Sequence, residues 1–64
     1  MLTSSRDIIK RLEQGDWQHV RTSGSHHVFK SVATGATIVV PHPKKDLKPG
    51  LVSRIYRDAG WPKD

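Results

Sequence analysis

Two histidines and a lysine that lie close together are the residues of this sequence best suited to catalysis. His26 and His27 follow the pair Gly24-Ser25, and Lys30 stands a few positions further on. Because an imidazole has an ordinary pKa of about 6.5, it accepts or donates a proton near neutral pH. A proton acceptor beside positive charges suits cleavage of RNA without a metal ion, since the 2′-hydroxyl must lose a proton while the phosphoryl oxygens gain negative charge.

A proline-rich basic segment supplies further positive charge. It begins with His42-Pro43-Lys44-Lys45 and ends at Pro49, so we expect a rigid loop. Lys30, Lys44 and Lys45 would hold phosphate groups, and their charge would help to keep a nearby imidazole neutral. Gly24 has no side chain, so a phosphate backbone can approach it closely.

The alternation of side chains along a strand separates the two adjacent histidines. In a strand, His26 and Lys30 share one face with Val28, while His27 shares the other face with Phe29. Phe29 is the one phenylalanine of the chain and is expected in the core. We therefore expect His26 and Lys30 on the open face, and His27 turned inward or toward a sheet edge.

Each histidine taken alone has a simpler interpretation. An imidazole that is exposed or hydrogen-bonded, with no chemical role, is the more common case, and we keep that interpretation for His19. A metal site is not expected. His26 and His27 diverge on a strand, and the chain has no cysteine and no well-spaced acidic ligand to complete a tetrahedral set. No cofactor is predicted.

The composition favours a small basic domain that attracts polyanions. Eleven Lys and Arg against six Asp and Glu give a formal charge of +5 over 64 residues, which we interpret as one domain. Such a field attracts nucleic acid, and it would equally attract an acidic partner protein. The lack of cysteine, of a signal peptide and of a long apolar run predicts a soluble protein of the reducing cytoplasm, with no membrane partner.

The first predicted element is an amphipathic helix. It spans Ser5 to Gln14, with Ser4 as its cap, Asp7 in a capping-box position and Gly15 as its stop. Its predicted core-facing residues are Ile8, Ile9 and Leu12.

Three strands are predicted in the middle of the chain. Turns at Ser23-Gly24-Ser25 and Ala33-Thr34-Gly35 separate them. The third strand is rich in β-branched residues, so it is predicted to be the most buried, and Pro41 ends it. The predicted strands cover residues 17–22, 26–32 and 37–40.

A second helix completes the pattern. Pro49 suits its first turn, Arg54 and Arg57 face outward, and Gly60 is its stop. The core-facing residues of this helix are Leu51, Val52, Ile55, Tyr56 and Ala59. The order α-β-β-β-α predicts an α+β fold in which two helices cover one face of a three-stranded antiparallel sheet.

Several motifs in this order resemble the HicA toxins of HicA–HicB toxin–antitoxin pairs. Gly-Ser-His alone is not specific, but the combination covers nearly the whole chain. The matching segments are Gly24-Ser25-His26 with Phe29, Val40 to Leu47, Asp58-Ala59-Gly60, and the opening helix with Gly15-Asp16-Trp17.

The resemblance implies a fold, an activity and a partner. The implied fold is that of double-stranded-RNA-binding domains, in agreement with the element order. The implied activity is that of a toxin that cuts mRNA without a metal ion, and the family's catalytic histidine is the one after Gly-Ser, which is His26 here. A HicB-like antitoxin would neutralise the toxin, with the toxin alone monomeric and the pair a hetero-oligomer.

Other positions are assigned to substrate binding or left without a role. His42 and the two lysines after it match the family's second motif. His27 falls at a position for which the first motif specifies no residue, so it receives no catalytic role. The predicted substrate-binding residues are Gly24, Ser25, Lys30, His42, Lys44 and Lys45.

Two other functions fit parts of the sequence. A domain of this fold can bind duplex RNA by shape without cutting it. Against that function, the second helix starts with Pro49-Gly50-Leu51, with no lysine among these three residues. A protein-binding adaptor would use Trp17, Tyr56 and Trp61 as interface anchors, although in so small a domain such side chains more often complete the core.

Overall fold

Two helices and three strands follow one another in the predicted order α-β-β-β-α. The structure is a computed structural model that describes residues 1–63. The first helix has the predicted bounds, and each strand differs from its prediction by one residue at its end. The elements are α1 (Ser5–Gln14), β1 (Trp17–Ser23), β2 (His26–Ser31), β3 (Thr37–Pro41) and α2 (Pro49–Ala59).

The strands form one open antiparallel sheet in the order β1-β2-β3. Since each strand follows its neighbour through a short turn, β2 becomes the central strand and β3 an edge strand. The prediction that β3 is the most buried strand is therefore wrong. Ile38 and Val40 of β3 are buried, but Val39 between them is 45% exposed because it points to the other face of the sheet.

Both helices cover the same face of the sheet. The strand residues that point to this face pack with the apolar stripes of α1 and α2 in a single core. Phe29 lies in this core, as predicted, and Ile9, Leu51 and Ala59 pack at its margin. The buried core residues are Ile8, Leu12, Trp17, Phe29, Ile38, Val40, Leu47, Val52, Ile55 and Tyr56.

The start of α1 is stabilised differently from the prediction. Ser4 occupies the cap position, but its side chain makes no cap hydrogen bond. The amide of Ser5 instead donates to the carbonyl oxygen of Lys44, 2.9 Å away in the basic loop. A distant segment of the chain thus satisfies an amide that has no partner within the helix.

The end of α2 and the β1–β2 turn follow the predicted glycine chemistry. Gly60 has φ of +75°, and its amide donates to the carbonyl of Arg57, which ends the helix. Ser23 pairs with His26 across a two-residue turn in which Gly24 has φ of +58°. A glycine at the first central position with positive φ is typical of a tight hairpin turn, and this turn places His26 at the start of β2.

The helices are short. No helix among residues 1–63 is long and apolar enough to cross a membrane.

Candidate active site

His26 lies at the first position of β2, on the sheet face that the helices leave uncovered. Its side chain is exposed, whereas Phe29, on the opposite face, is 1% exposed. Cα pairing places Pro41 of β3 beside His26 in the sheet. The structure therefore confirms the predicted placement of this imidazole on an open surface.

Lys30 shares this open face with His26. It is exposed and pairs with Gln18 on one side and Thr37 on the other. Lys30 lies four positions after His26 along the strand, which is roughly 13 Å at about 3.3 Å per residue. Lys30 is thus placed to contact a phosphate one or more positions along a chain that passes His26.

A groove between β3 and α2 reaches His26. It encloses about 360 Å³. The side chains that α2 contributes to this groove include Arg54 and Asp58. Arg54 has a side chain that is 73% exposed, and its Nε lies 3.8 Å from an oxygen of Asp58 one helical turn away. The structure therefore adds a guanidinium and a carboxylate to the surroundings of His26.

The basic loop is held against the start of α1 by hydrogen bonds. Besides the bond from the Ser5 amide, the Ser5 hydroxyl lies within 3.0 Å of both backbone groups of Lys44. Further along, the amide of Leu47 donates to the carbonyl of Thr3 over 2.8 Å. The loop is therefore fixed in place, as its prolines predict, while the side chains of Lys44 and Lys45 are exposed.

His42 belongs to the opposite face of the sheet from His26. Its Nδ1 lies 2.7 Å from the Ser5 hydroxyl. That hydroxyl donates to the Lys44 carbonyl and accepts from the Lys44 amide, so His42 completes its bonding when Nδ1 carries the proton and donates to it. The structure brings His42 together with the basic loop and with α1, and does not bring it together with the ring of His26.

Three imidazoles form a row on the helix-facing side of the sheet. The ring centroids of His19 and His27 are 5.5 Å apart, and those of His27 and His42 are 5.0 Å apart. Partial burial, then the neighbouring imidazoles of His42 and His19, lower the pKa of His27 below its ordinary value of about 6.5. The neutral form of His27 is therefore favoured.

The histidine row has local partners and no metal-binding geometry. His19 lies edge-on to the ring of Phe29, and its Nε2 is 2.7 Å from the hydroxyl of Thr22. Within residues 1–63, no group of three or more His, Cys, Asp or Glu side chains is arranged to hold a metal ion. Packing and hydrogen bonding account for His19 and His27.

The large aromatic side chains are engaged within the molecule. Trp17 and Tyr56 are buried in the core. Trp61, which follows the end of α2, packs edge-on against Tyr56, and the guanidinium of Arg11 lies 4.4 Å from its ring centroid. These contacts give Trp17, Tyr56 and Trp61 structural roles and leave little aromatic surface for an adaptor interface.

Sequence reasoning missed Arg54, Asp58 and Ser5 as neighbours of the predicted site. Arg54 was identified only as an outward-facing residue of α2, and its side chain is indeed exposed. That Arg54 lines the same groove as His26 depends on how α2 lies along β3, which no local pattern reveals. For Ser5, the sequence gives no signal, because the predicted cap is the neighbouring Ser4 and the partners of Ser5 come from a distant segment.

Comparison with known proteins gives a family assignment. A family model described as the HicA toxin of bacterial toxin-antitoxin matches residues 5–61, which is most of the chain. No curated protein matches the chain.

Proposed function

The chain belongs to the HicA toxin family, and we propose that it cuts mRNA as a metal-independent endoribonuclease with His26 as its catalytic residue. Family membership makes it a toxin of a toxin–antitoxin system with an antitoxin as partner. The observation that carries the proposed chemistry is the exposed imidazole of His26, on an open sheet face and in a groove that also contains Arg54.

The reaction requires one proton acceptor at the ribose. His26 accepts the proton of a 2′-hydroxyl, whose oxygen forms a bond to the adjacent phosphorus. The bond from phosphorus to the 5′-oxygen breaks, and that oxygen takes up a proton from solvent water. The products are a 2′,3′-cyclic phosphate and a 5′-hydroxyl. Such general base catalysis is typically worth about 10²–10⁴ in rate.

The cations around the sheet hold the RNA. Lys30 and the two loop lysines, Lys44 and Lys45, bind phosphate groups, and their exposure leaves the ammonium groups accessible. Gly24 and Ser25 form the turn immediately before His26, and nothing lies within 4 Å of the position that a Cβ of Gly24 would occupy. That open space allows a phosphate backbone to pass close to the imidazole.

His42 contributes by holding the loop. Its bond to Ser5 and the bonds from Ser5 to Lys44 join β3, the loop and α1 in one network. In this proposal His42 supports substrate binding because it positions Lys44.

A HicB-like antitoxin is the proposed regulator, and an acidic surface that covers the basic face is the proposed mode of inhibition. Solvent accessibility in the complex tests this mode. We expect His26 and the loop at 44–45 to be protected from chemical modification when the antitoxin is bound. An inhibited complex that leaves both accessible contradicts direct occlusion.

A pair of histidine variants tests the function in cells. Induction of the wild-type chain without antitoxin is expected to arrest growth and to deplete mRNA in the cytoplasm, and His26→Ala is expected to abolish both effects. His19→Ala is the matched control, because it also removes a histidine from the sheet and leaves His26 in place; it should arrest growth like the wild type.

Two outcomes contradict the proposal. If His26→Ala arrests growth as strongly as the wild type and accumulates equally, His26 is not the catalytic residue. If the wild type binds RNA without cutting it, the domain is a non-catalytic RNA-binding module.

A further inference from the structure

The groove between β3 and α2 places a guanidinium with the proposed catalytic imidazole. His26 lies at one position of the groove wall, and Arg54 of α2 lines the same groove. The two residues belong to elements that are distant in sequence. Their shared groove is therefore a product of the fold.

The lysines that the sequence predicts to bind phosphate lie outside this groove. Lys30 is separated from His26 by roughly 13 Å of strand. The backbone of Lys44 is bonded to the start of α1, on the side of the sheet that the helices cover. Neither lysine lines the groove at His26. In the groove, the cation available to the phosphate at the reacting position is therefore on α2.

Arg54 has the chemistry for this task. A guanidinium is planar and presents paired N–H donors that match two oxygens of one phosphate group. The present partner of Arg54 is Asp58, at 3.8 Å, in an ion pair whose side chains are 73% and 39% exposed. Exposed ion pairs of this kind are weak, so the guanidinium can exchange its carboxylate for a phosphate.

We infer that Arg54 binds the non-bridging oxygens of the RNA phosphate on which His26 acts, in the groove between β3 and α2. The inference rests on the proposed function and adds a residue to it. As negative charge builds up on these oxygens during attack by the 2′-hydroxyl, the guanidinium stabilises it. In the free protein Asp58 is the ion-pair partner of this guanidinium, and the phosphate takes the place of Asp58 when RNA binds.

Arg57 provides a matched control on the same helix. Its side chain is 76% exposed, and its Nε lies 3.8 Å from the other oxygen of Asp58. Arg57 does not line the groove at His26. Replacing either arginine with alanine removes one positive charge and one contact to Asp58, so the two variants differ mainly in their access to the groove.

Single-turnover cleavage of a defined single-stranded RNA tests the inference. We expect Arg54→Ala to lower the maximal cleavage rate by about 10²–10³, the loss that follows removal of one oxyanion donor. Arg57→Ala should leave that rate nearly unchanged. Arg54→Gln, which keeps a polar side chain without the charge, should behave like Arg54→Ala. Thermal unfolding of each variant verifies that it is folded.

The outcomes separate this inference from the proposal on which it rests. Equal rates for Arg54→Ala and Arg57→Ala, with cleavage by His26→Ala still slower by about 10²–10⁴, overturn the role of Arg54 and leave the ribonuclease proposal standing. A folded Arg54→Ala that binds RNA less tightly but reaches the wild-type maximal rate also overturns it, because a phosphate contact at the reacting position must affect the rate. Unchanged cleavage by His26→Ala overturns the proposed function itself.

Discussion

His26 and His27 show how one strand position changes the chemistry of a side chain. The two residues have the same imidazole, but alternation along β2 sends one to the open face and the other to the helix-facing side. His26 is exposed, while His27 is half-buried between two other imidazoles. An exposed imidazole can reach a substrate, and a half-buried one beside other histidines is favoured as the neutral base.

His27 predicts a pH dependence of stability. Because the pKa of His27 is lowered in the folded state, the unfolded chain binds a proton more readily as the pH falls below about 6.5. The free energy of unfolding should therefore decrease as the pH falls from about 6.5 to the lower folded pKa, and no further below it. Urea unfolding between pH 7.5 and 5 measures this change.

A substitution isolates the contribution of His27. His27→Gln keeps a polar side chain that does not titrate, so its urea midpoint should vary less between pH 6.5 and 5 than that of the wild type. An identical pH dependence in both proteins would show that His27 makes no such contribution.

For single residues, the alternation of side chains between the two faces of a strand was sufficient to predict the exposure of His26 and the burial of Phe29. The same reasoning did not find Arg54, because its place in the groove that His26 also lines depends on the packing of a different element. The side of the sheet that His42 takes was also missed, since it lies just beyond the predicted strand. Local pattern determines which face a side chain takes, and tertiary packing determines its neighbours.

The link between the basic loop and α1 is the main feature at the scale of elements. The Ser5 hydroxyl is within hydrogen-bond distance of His42 Nδ1 and of the amide and carbonyl of Lys44. Ser5 itself is fully buried. Removal of this hydroxyl takes a hydrogen-bond partner from the Lys44 amide and from His42 Nδ1.

Ser5→Ala is expected to destabilise the fold by about 1–3 kcal/mol, the cost of leaving buried polar groups unpaired. Ser4→Ala is the control at the neighbouring position. The Ser4 side chain makes no cap hydrogen bond, so this change should cost no more than about 0.5 kcal/mol. Chemical denaturation of both variants measures the difference, and equal losses would show that the Ser5 network contributes no special stability.

The element boundaries were largely predictable because glycine and proline mark them. Gly15 and Gly60 end the helices and Pro49 opens α2, as expected from their backbone preferences. The capping interaction was predicted wrongly. Ser4 occupies the cap position without a side-chain hydrogen bond. The burial of β3 was predicted wrongly because strand order, which decides which strand is central, places β3 at the edge.

The whole molecule combines a small core with a strong positive charge. A formal charge of +5 on 64 residues creates a field that attracts RNA from any direction. Lys30 of the sheet and Lys44 and Lys45 of the loop lie on separate elements and are exposed, so they can contact phosphates at different points along a bound RNA. The affinity for RNA should therefore fall as the salt concentration rises. Each phosphate contact should contribute a measurable part of that dependence.

The salt dependence of RNA binding measures how many phosphate contacts the loop makes. Each phosphate contact to a single strand contributes about −0.7 to the slope of log K against log salt. Replacing both Lys44 and Lys45 with alanine should therefore make the slope shallower by about 1.4. Lys10→Ala, which removes an exposed charge from α1, is the control and should change it little.

The RNA for this measurement carries a 2′-deoxy nucleotide at the cleavage position, so that binding is observed without reaction. A slope that is the same for the wild type and for the variant without Lys44 and Lys45 would contradict a phosphate-binding role of the loop.

The most direct test of the central claim is single-turnover cleavage of a defined RNA in the presence of a metal chelator, by the wild type and by His26→Ala. We expect the wild type to cut and to leave 2′,3′-cyclic phosphate and 5′-hydroxyl ends. We expect His26→Ala to be slower by about 10²–10⁴ while it remains folded and binds RNA. Cleavage by His26→Ala at the wild-type rate, or loss of wild-type cleavage on chelation, would contradict the account.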